Sequence, residues 1–280
     1  MGVQLICQLT KIFYNVIVIS PLKWFFEMRS LKYNLDYFLG EVFTANEGSK
    51  CKVIDYQGCS KVMVKFLDDY GYEYTITLGE LRRGEFKNPF HPSVFGVAFF
   101  GVGIFKRSVD GVKTPEYACW VSLMERLFSK YRKEKFPTYL DCSVCPEWLN
   151  FQVFAEWYTK QRFYGRGYQL DKDILIVGNR HYSPDTCCLV PSEINSLLIR
   201  PNSSKSKYKT GICIKGETGK FLVQLKKFGK QTHVGFYTDL KDAEAAYKYE
   251  KERYVKEVAV IWKDKVDEKV FKSLMNWEFK

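Results

Sequence analysis

The sequence predicts an α+β protein with three folded parts: a small N-terminal β-barrel-like module, an aromatic-rich α+β middle domain, and a C-terminal three-stranded sheet with a helix. Short β-branched and aromatic segments separated by glycines come first, and apolar residues at helical spacing begin near residue 114. A basic run of strand-like segments and a last helical pattern follow. We expect an N-terminal extension at 1–33, the β module at 34–105, the middle domain at 112–200, the sheet and helix at 208–262, and a C-terminal tail at 263–280.

The β module is predicted from residues 36–88, where four or five strand-like segments are separated by turns at Gly48, Gly58 and Gly71. In KVMVKF (61–66), Val62, Val64 and Phe66 alternate with the other side chains, which is typical of a half-buried strand. Several short strands in about fifty residues favour a small open barrel, similar to Src-homology-3-like modules. Because nothing in it resembles a catalytic cluster, we expect a binding or positioning module.

Two helices are predicted in the middle domain. The pair Thr114-Pro115 favours a helix start, and a stripe follows at spacings of three and four: Tyr117, Trp120, Met124, Leu127 and Tyr131. A second stripe follows CPEW: Trp148, Phe151, Ala155 and Tyr158. We expect both stripes to be core.

The positive charge is concentrated in one stretch. The chain has 43 Lys and Arg against 32 Asp and Glu, a formal charge of +11, which favours an anionic partner such as nucleic acid, a membrane surface or a phosphorylated ligand. Residues 200–238 hold nine basic residues and one acid, so this stretch alone carries +8. The localised excess favours nucleic acid over a membrane surface, and no stable membrane partner is expected.

The same stretch predicts the interface. A linker at 201–207 precedes three strand-like segments, and a helix runs from about Leu240 to Trp262. In KFLVQLK (220–226), alternation turns Phe221, Val223 and Leu225 toward the helix and leaves the lysines and Gln224 on the other face. A twisted sheet of this kind can enter the major groove of double-stranded DNA. The candidate DNA-binding residues are Lys215, Lys220, Gln224, Lys226, Lys227, Lys230 and His233. The alternative is a solvated strand face without a partner.

Residues 210–254 resemble an APETALA2/ERF-type DNA-binding domain. The resemblance is carried by Thr210-Gly211, the strand GKFLVQL, the strand HVGFY and the helix signature DAEAAYKYEK, in that order. Phe221 stands where that family commonly has Trp. The resemblance implies a three-stranded sheet backed by a helix that binds duplex DNA.

The middle domain is similar to phage proteins grouped with HNH-like endonucleases, most specifically through LDKD (170–173) and YSPDTC (182–187). The resemblance implies a phage-type protein related to homing endonucleases, in the cytoplasm of an infected host cell. Its nuclease chemistry would need a base and a divalent cation such as Mg²⁺. Asp171 and Asp173, with Asn179, are the candidate ligands, and His181 is the candidate base. The alternative is that LDKD is a solvated turn or a structural hydrogen-bond anchor.

Nine cysteines are scattered along the chain, an odd number that favours reduced thiols in an intracellular protein over a disulfide framework. Cys142 and Cys145 have the spacing of a zinc knuckle, and the adjacent Cys187 and Cys188 follow about forty residues later. A structural Zn²⁺ site built from these four residues is one hypothesis. Buried free thiols are the other.

The first 33 residues leave two interpretations open. Residues 3–19 are mostly apolar, but Lys11 near their centre is costly in a spanning helix. Either translation starts at Met28 and residues 1–27 are absent from the native protein, or these residues form an amphipathic, peripheral segment.

The sequence therefore predicts a protein that binds duplex DNA through its C-terminal sheet. The alternatives are an active divalent-metal-dependent endonuclease and a non-enzymatic transcriptional regulator. The oligomeric state is not predicted.

Overall fold

The computed structural model describes residues 38–198, 208, 211–215 and 219–279. The chain divides at residue 91 into two compact units, here called the N-terminal unit (38–91) and the C-terminal unit (92–279). The predicted extension at 1–33 and the predicted linker at 201–207 lie outside the described residues. The mixed α and β character predicted for the chain is confirmed for the described residues taken together.

The N-terminal unit is built on one antiparallel sheet with its strands in chain order. These are β1 (Val42–Thr44), β2 (Lys50–Tyr56), β3 (Val62–Phe66) and β4 (Glu73–Ile76), and helix α1 (Leu78–Arg83) follows. The predicted alternation in β3 is confirmed, since Val62, Val64 and Phe66 are buried and Lys65 is exposed. The predicted barrel is not formed within the described residues, where this sheet is open and has β1 and β4 at its two edges. Both edge strands are short, and α1 adds buried Leu78 and Leu81 to this core.

The first part of the C-terminal unit is a helical core. Its elements are the hairpin β5 (Ser108–Val109) and β6 (Val112–Lys113), and helices α2 (Pro115–Phe128), α3 (Lys130–Lys135) and α4 (Phe151–Thr159). Thr114 caps α2, as predicted, and the indole Nε1 of buried Trp120 donates to the carbonyl of Trp148 at 2.7 Å. Tyr131 does not continue the α2 stripe: Ser129 ends α2 and begins α3, and Tyr131 is exposed.

Short elements connect this core to the C-terminal sheet. Strand β7 (Ser143–Val144) runs parallel to β9 (His181–Tyr182), and β8 (Gln169–Asp171) is antiparallel to β10 (Cys188–Val190). Helix α5 (Ser192–Leu197) follows β10.

The last part is a three-stranded antiparallel sheet backed by a long helix. The strands are β11 (Ile212–Lys215), β12 (Lys220–Lys227) and β13 (Lys230–Tyr237), and the helices are α6 (Leu240–Trp262) and α7 (Glu268–Met275). Asp239 caps α6 by accepting from the backbone of Lys241 and Asp242. The small side chain of buried Ala243 and the ring of Tyr247 face the sheet in one hydrophobic core. That core also contains residues of β10, α5 and α7, so it extends on both sides of the predicted boundary near residue 200.

Candidate nucleic-acid interface

The strand register gives the C-terminal sheet two chemically different faces. On one face, Val223 and Leu225 are buried and Phe221 is partly buried, all in the core that contains α6. We call the other face the open face. It is formed by Cys213 of β11, Lys220, Leu222, Gln224 and Lys226 of β12, and Gln231, His233 and Phe236 of β13.

The predicted alternation in β12 therefore holds, but β13 departs from simple alternation. Leu222 pairs with Phe236, Gln224 pairs with His233, and a bulge lies between these two pairs. Without the bulge, His233 and Phe236 would point to opposite sides, because they are three residues apart. The bulge brings both rings to the open face, where their centroids are 4.9 Å apart.

Basic and amide side chains dominate the exposed part of the open face. Lys220, Lys226, Gln231 and His233 are exposed, and Gln224 is partly exposed. Among the described residues, neither Lys220 nor Lys226 has an acidic partner within ion-pair distance. The amide of Gln231 lies 3.5 Å from that of Gln224, which is a weak contact that a ligand can replace.

Two of the candidate lysines lie away from the open face. Lys227 turns toward α6, where its Nζ is 2.9 Å from Glu250, and only 14% of its side chain is exposed. Burial alone would raise the pKa of Glu250, but the bonds from Lys227 and Arg253 outweigh it and lower that pKa. Lys227 therefore fastens the sheet to the helix. Lys230 is the second of the two: it pairs with Lys227 in the strand register and is exposed next to the β12–β13 turn. The remaining candidate, Lys215 of β11, pairs with Lys220 in the register.

The four candidate catalytic residues lie along the loop that joins β8 to β9, with Asp171 at the end of β8 and His181 at the start of β9. The Oδ1 atom of Asp171 accepts from the backbone N–H groups of Asp173 and Ile174, both at 2.8 Å. The carboxylate of Asp173 accepts from Lys172 Nζ at 2.7 Å, and Nδ1 of His181 lies 2.8 Å from the hydroxyl of Ser143.

Asn179 holds the two ends of that loop together. Its Nδ2 donates to the carbonyls of Lys172 and His181, and its Oδ1 accepts from the backbone of His181 at 3.1 Å. These contacts agree with the interpretation of LDKD as a structural hydrogen-bond anchor. They occupy atoms of Asp171 and Asn179 that the nuclease hypothesis assigned to a metal.

We expect Asp171→Ala to lower the free energy of unfolding of the C-terminal unit by about 2 kcal/mol, because two backbone donors lose their acceptor. Asp171→Asn is the matched control, since its amide oxygen can accept both bonds. Urea denaturation of both variants at neutral pH is the measurement. Equal losses in the two variants would contradict the anchoring role.

The same pair of variants has a defined pH dependence. Burial raises the pKa of Asp171 above its ordinary 3.8, against the lowering effect of the two backbone N–H groups. The folded state then holds the proton more tightly than the unfolded chain does, so stability falls as the pH rises from 3.8 through the raised pKa. Asp171→Asn should not show this loss of stability with rising pH, and it should be at least as stable as the parent at neutral pH.

The cysteine candidates for zinc are mostly buried thiols. Cys145, Cys187 and Cys188 are buried, and Cys142 is partly buried. Burial raises the pKa of Cys145 to about 11 and that of Cys187 to about 12, which favours the protonated thiol in the protein as described. Within residues 38–198, 208, 211–215 and 219–279, no group of three or more His, Cys, Asp or Glu side chains is arranged to hold a metal ion.

Comparison with known proteins gives no relative from which to assign the site. No family model, no curated protein and no solved structure matches the chain. In the part of the chain that the structure describes, no helix is both long enough and apolar enough to span a membrane.

Sequence reasoning missed Gln231 and Phe236, which share the open face of β13 with His233. Gln231 precedes the strand HVGFY (233–237) expected from the sequence, whereas β13 begins at Lys230. Phe236 reaches the open face because of the bulge in β13. The glycine of the pair Val234-Gly235 is the feature of the sequence that could have indicated a bulge there.

Proposed function

We propose that this protein binds double-stranded DNA through the open face of its C-terminal sheet. The observation that carries the proposal is the placement of Lys220 and Lys226 on one face of β12, exposed and without acidic partners among the described residues, with Gln224 between them. The opposite face of the sheet is buried against α6, so the open face is the side available to a ligand.

The chemistry of this face suits a duplex. The major groove, about 12 Å wide, admits a two-stranded β-ribbon, and the antiparallel pair β12 and β13, which carries most of the open face, has that form. The two lysines are placed to neutralise phosphates, which supplies affinity without sequence information. Gln224 and Gln231 have the amide groups that hydrogen-bond to base edges.

Further support comes from the order of the elements. Three strands followed by a helix is also the order of the APETALA2/ERF-type domain that residues 210–254 resemble. The phage-type assignment and the relation to homing endonucleases remain part of the proposal, on the resemblance alone. DNA cleavage is not part of it, because no contact of Asp171, Asp173, Asn179 or His181 favours it over an anchoring role.

The test is the affinity of the double variant Lys220→Ala with Lys226→Ala for a duplex of mixed sequence, measured by fluorescence anisotropy across a range of salt concentrations. If each lysine contacts a phosphate, the slope of log K against log salt should become shallower by about 2, and affinity should fall on every sequence. The intact full-length chain is the reference.

The matched control is Lys160→Ala with Lys272→Ala, which removes the same charge from exposed helical positions that pair with Glu156 and Glu268. This control should keep the parent's slope. An unchanged slope in the open-face variant, or equal losses in both variants, would overturn the proposal.

A further inference from the structure

The open face contains an apolar patch within its polar surface. Phe236 is 48% exposed, although it lies on a sheet face otherwise dominated by lysine, glutamine and histidine. Its register partner Leu222 also faces this side but is only 7% exposed. The ring of Phe236 is therefore the main apolar surface of the patch that a ligand can contact. The ring of His233 lies beside it, with the two ring centroids 4.9 Å apart.

A duplex offers one apolar group to such a ring in the major groove. The base edges in the major groove present hydrogen-bond donors and acceptors, and the C5-methyl group of thymine is the apolar group among them. An exposed phenylalanine between phosphate-binding lysines is thus matched to thymine by its chemistry. It is not matched to guanine or cytosine, whose major-groove edges are polar.

The distance from Gln224 to the ring of Phe236 matches the spacing of base pairs in a duplex. It follows Leu222, the partner of Phe236, by two residues on the same face, which is about 7 Å along the strand. That distance is roughly two base-pair steps. A glutamine amide matches the adenine edge, where it can both donate to N7 and accept from the N6 amino group.

We infer that Phe236 makes the open face selective for A·T base pairs, with its ring on the thymine methyl group and the Gln224 amide on a nearby adenine. The inference rests on the proposed function and adds to it a residue that determines specificity. The readout concerns duplex DNA; stacking of an unpaired base on the same ring is the competing use of the patch.

The experiment first compares two duplexes that differ in the thymine methyl group and then repeats the comparison with a protein variant. Two alternating A·T duplexes of equal length are compared at one ionic strength, one with thymine and the other with uracil, which lacks only the methyl group. The parent protein should bind the thymine duplex about fourfold more tightly for each methyl group contacted. Phe236→Ala should bind both duplexes equally.

Phe228→Ala is the matched control. Phe228 is also exposed, but it lies in the turn between β12 and β13, outside both strands, with its ring 5.2 Å from Tyr254 of α6. This variant should retain the preference for thymine.

The outcomes separate the inference from the proposed function. Equal binding of both duplexes by the parent overturns the inference and leaves duplex binding intact. A preference for single-stranded DNA that disappears in Phe236→Ala overturns it in favour of base stacking. No salt-dependent binding to any duplex would remove the proposed function and the inference with it.

Discussion

Replacing Trp120 by alanine is expected to lower the free energy of unfolding of the C-terminal unit by about 4 kcal/mol, since the indole is fully buried. The change removes its packing against Phe151, whose ring centroid is 5.4 Å away, and the 2.7 Å bond from Nε1 to the carbonyl of Trp148. Five of the six tryptophans lie beyond residue 91, so urea denaturation followed by the remaining tryptophan fluorescence reports on this unit.

The control is Trp120→Phe, which keeps an apolar ring but loses the hydrogen bond and some volume. Its expected loss is smaller, about 2 kcal/mol, because one buried carbonyl is left without that donor. A loss below about 1 kcal/mol for Trp120→Ala would mean that this helical core does not limit the stability of the unit.

Replacing Gly211 by alanine should destabilise the C-terminal sheet by about 3 kcal/mol and weaken the proposed binding of duplex DNA with it. Gly211 has a φ of +83°, and an added Cβ would lie 2.2 Å from the ring of Tyr247 and 2.5 Å from the carbonyl oxygen of Gln224. The backbone of Gly211 also accepts from the N–H of Gln224 at 2.8 Å, so the strand cannot retreat without losing that bond. Both the unusual φ and the clash oppose the substitution.

Gly229→Ala separates these two costs. Gly229 lies in the β12–β13 turn with a φ of +80°, and an added Cβ would meet nothing within 4 Å. We expect it to cost about 1 kcal/mol, the backbone penalty alone. Equal losses for Gly211→Ala and Gly229→Ala, measured by thermal denaturation, would contradict the close approach of Gly211 to α6.

The sequence predicted the structure correctly where a local pattern, such as strand alternation or helical spacing, determines which side chains are buried. The alternation of Phe221, Val223 and Leu225 correctly predicted the buried side of β12, because a strand's side chains alternate whatever its neighbours do. The cap at Thr114 and the buried positions Trp120 and Met124 were also predictable, since helical spacing and capping are local.

The sequence failed where the outcome depends on contacts between distant segments. The partner of Lys227 is Glu250 on α6, a pairing that alternation within β12 cannot predict. The open edges of the N-terminal sheet depend on which strands meet, and strand composition does not determine that. Asp171 and Asn179 have residue types common to metal sites and to structural turns, so only their backbone partners distinguish the two uses.

The hydrophobic core that joins the sheet to β10, α5 and α7 has a consequence for dissection of the protein. An excised segment of residues 208–262 would retain the side chains of the open face but lose the apolar partners Val190, Ile194, Val270 and Leu274. Its α6 would then expose to water a surface that the intact chain buries. The open face and the core beneath it thus belong to one folded body, and a fragment made to test the proposed DNA binding should extend at least from β8 to α7.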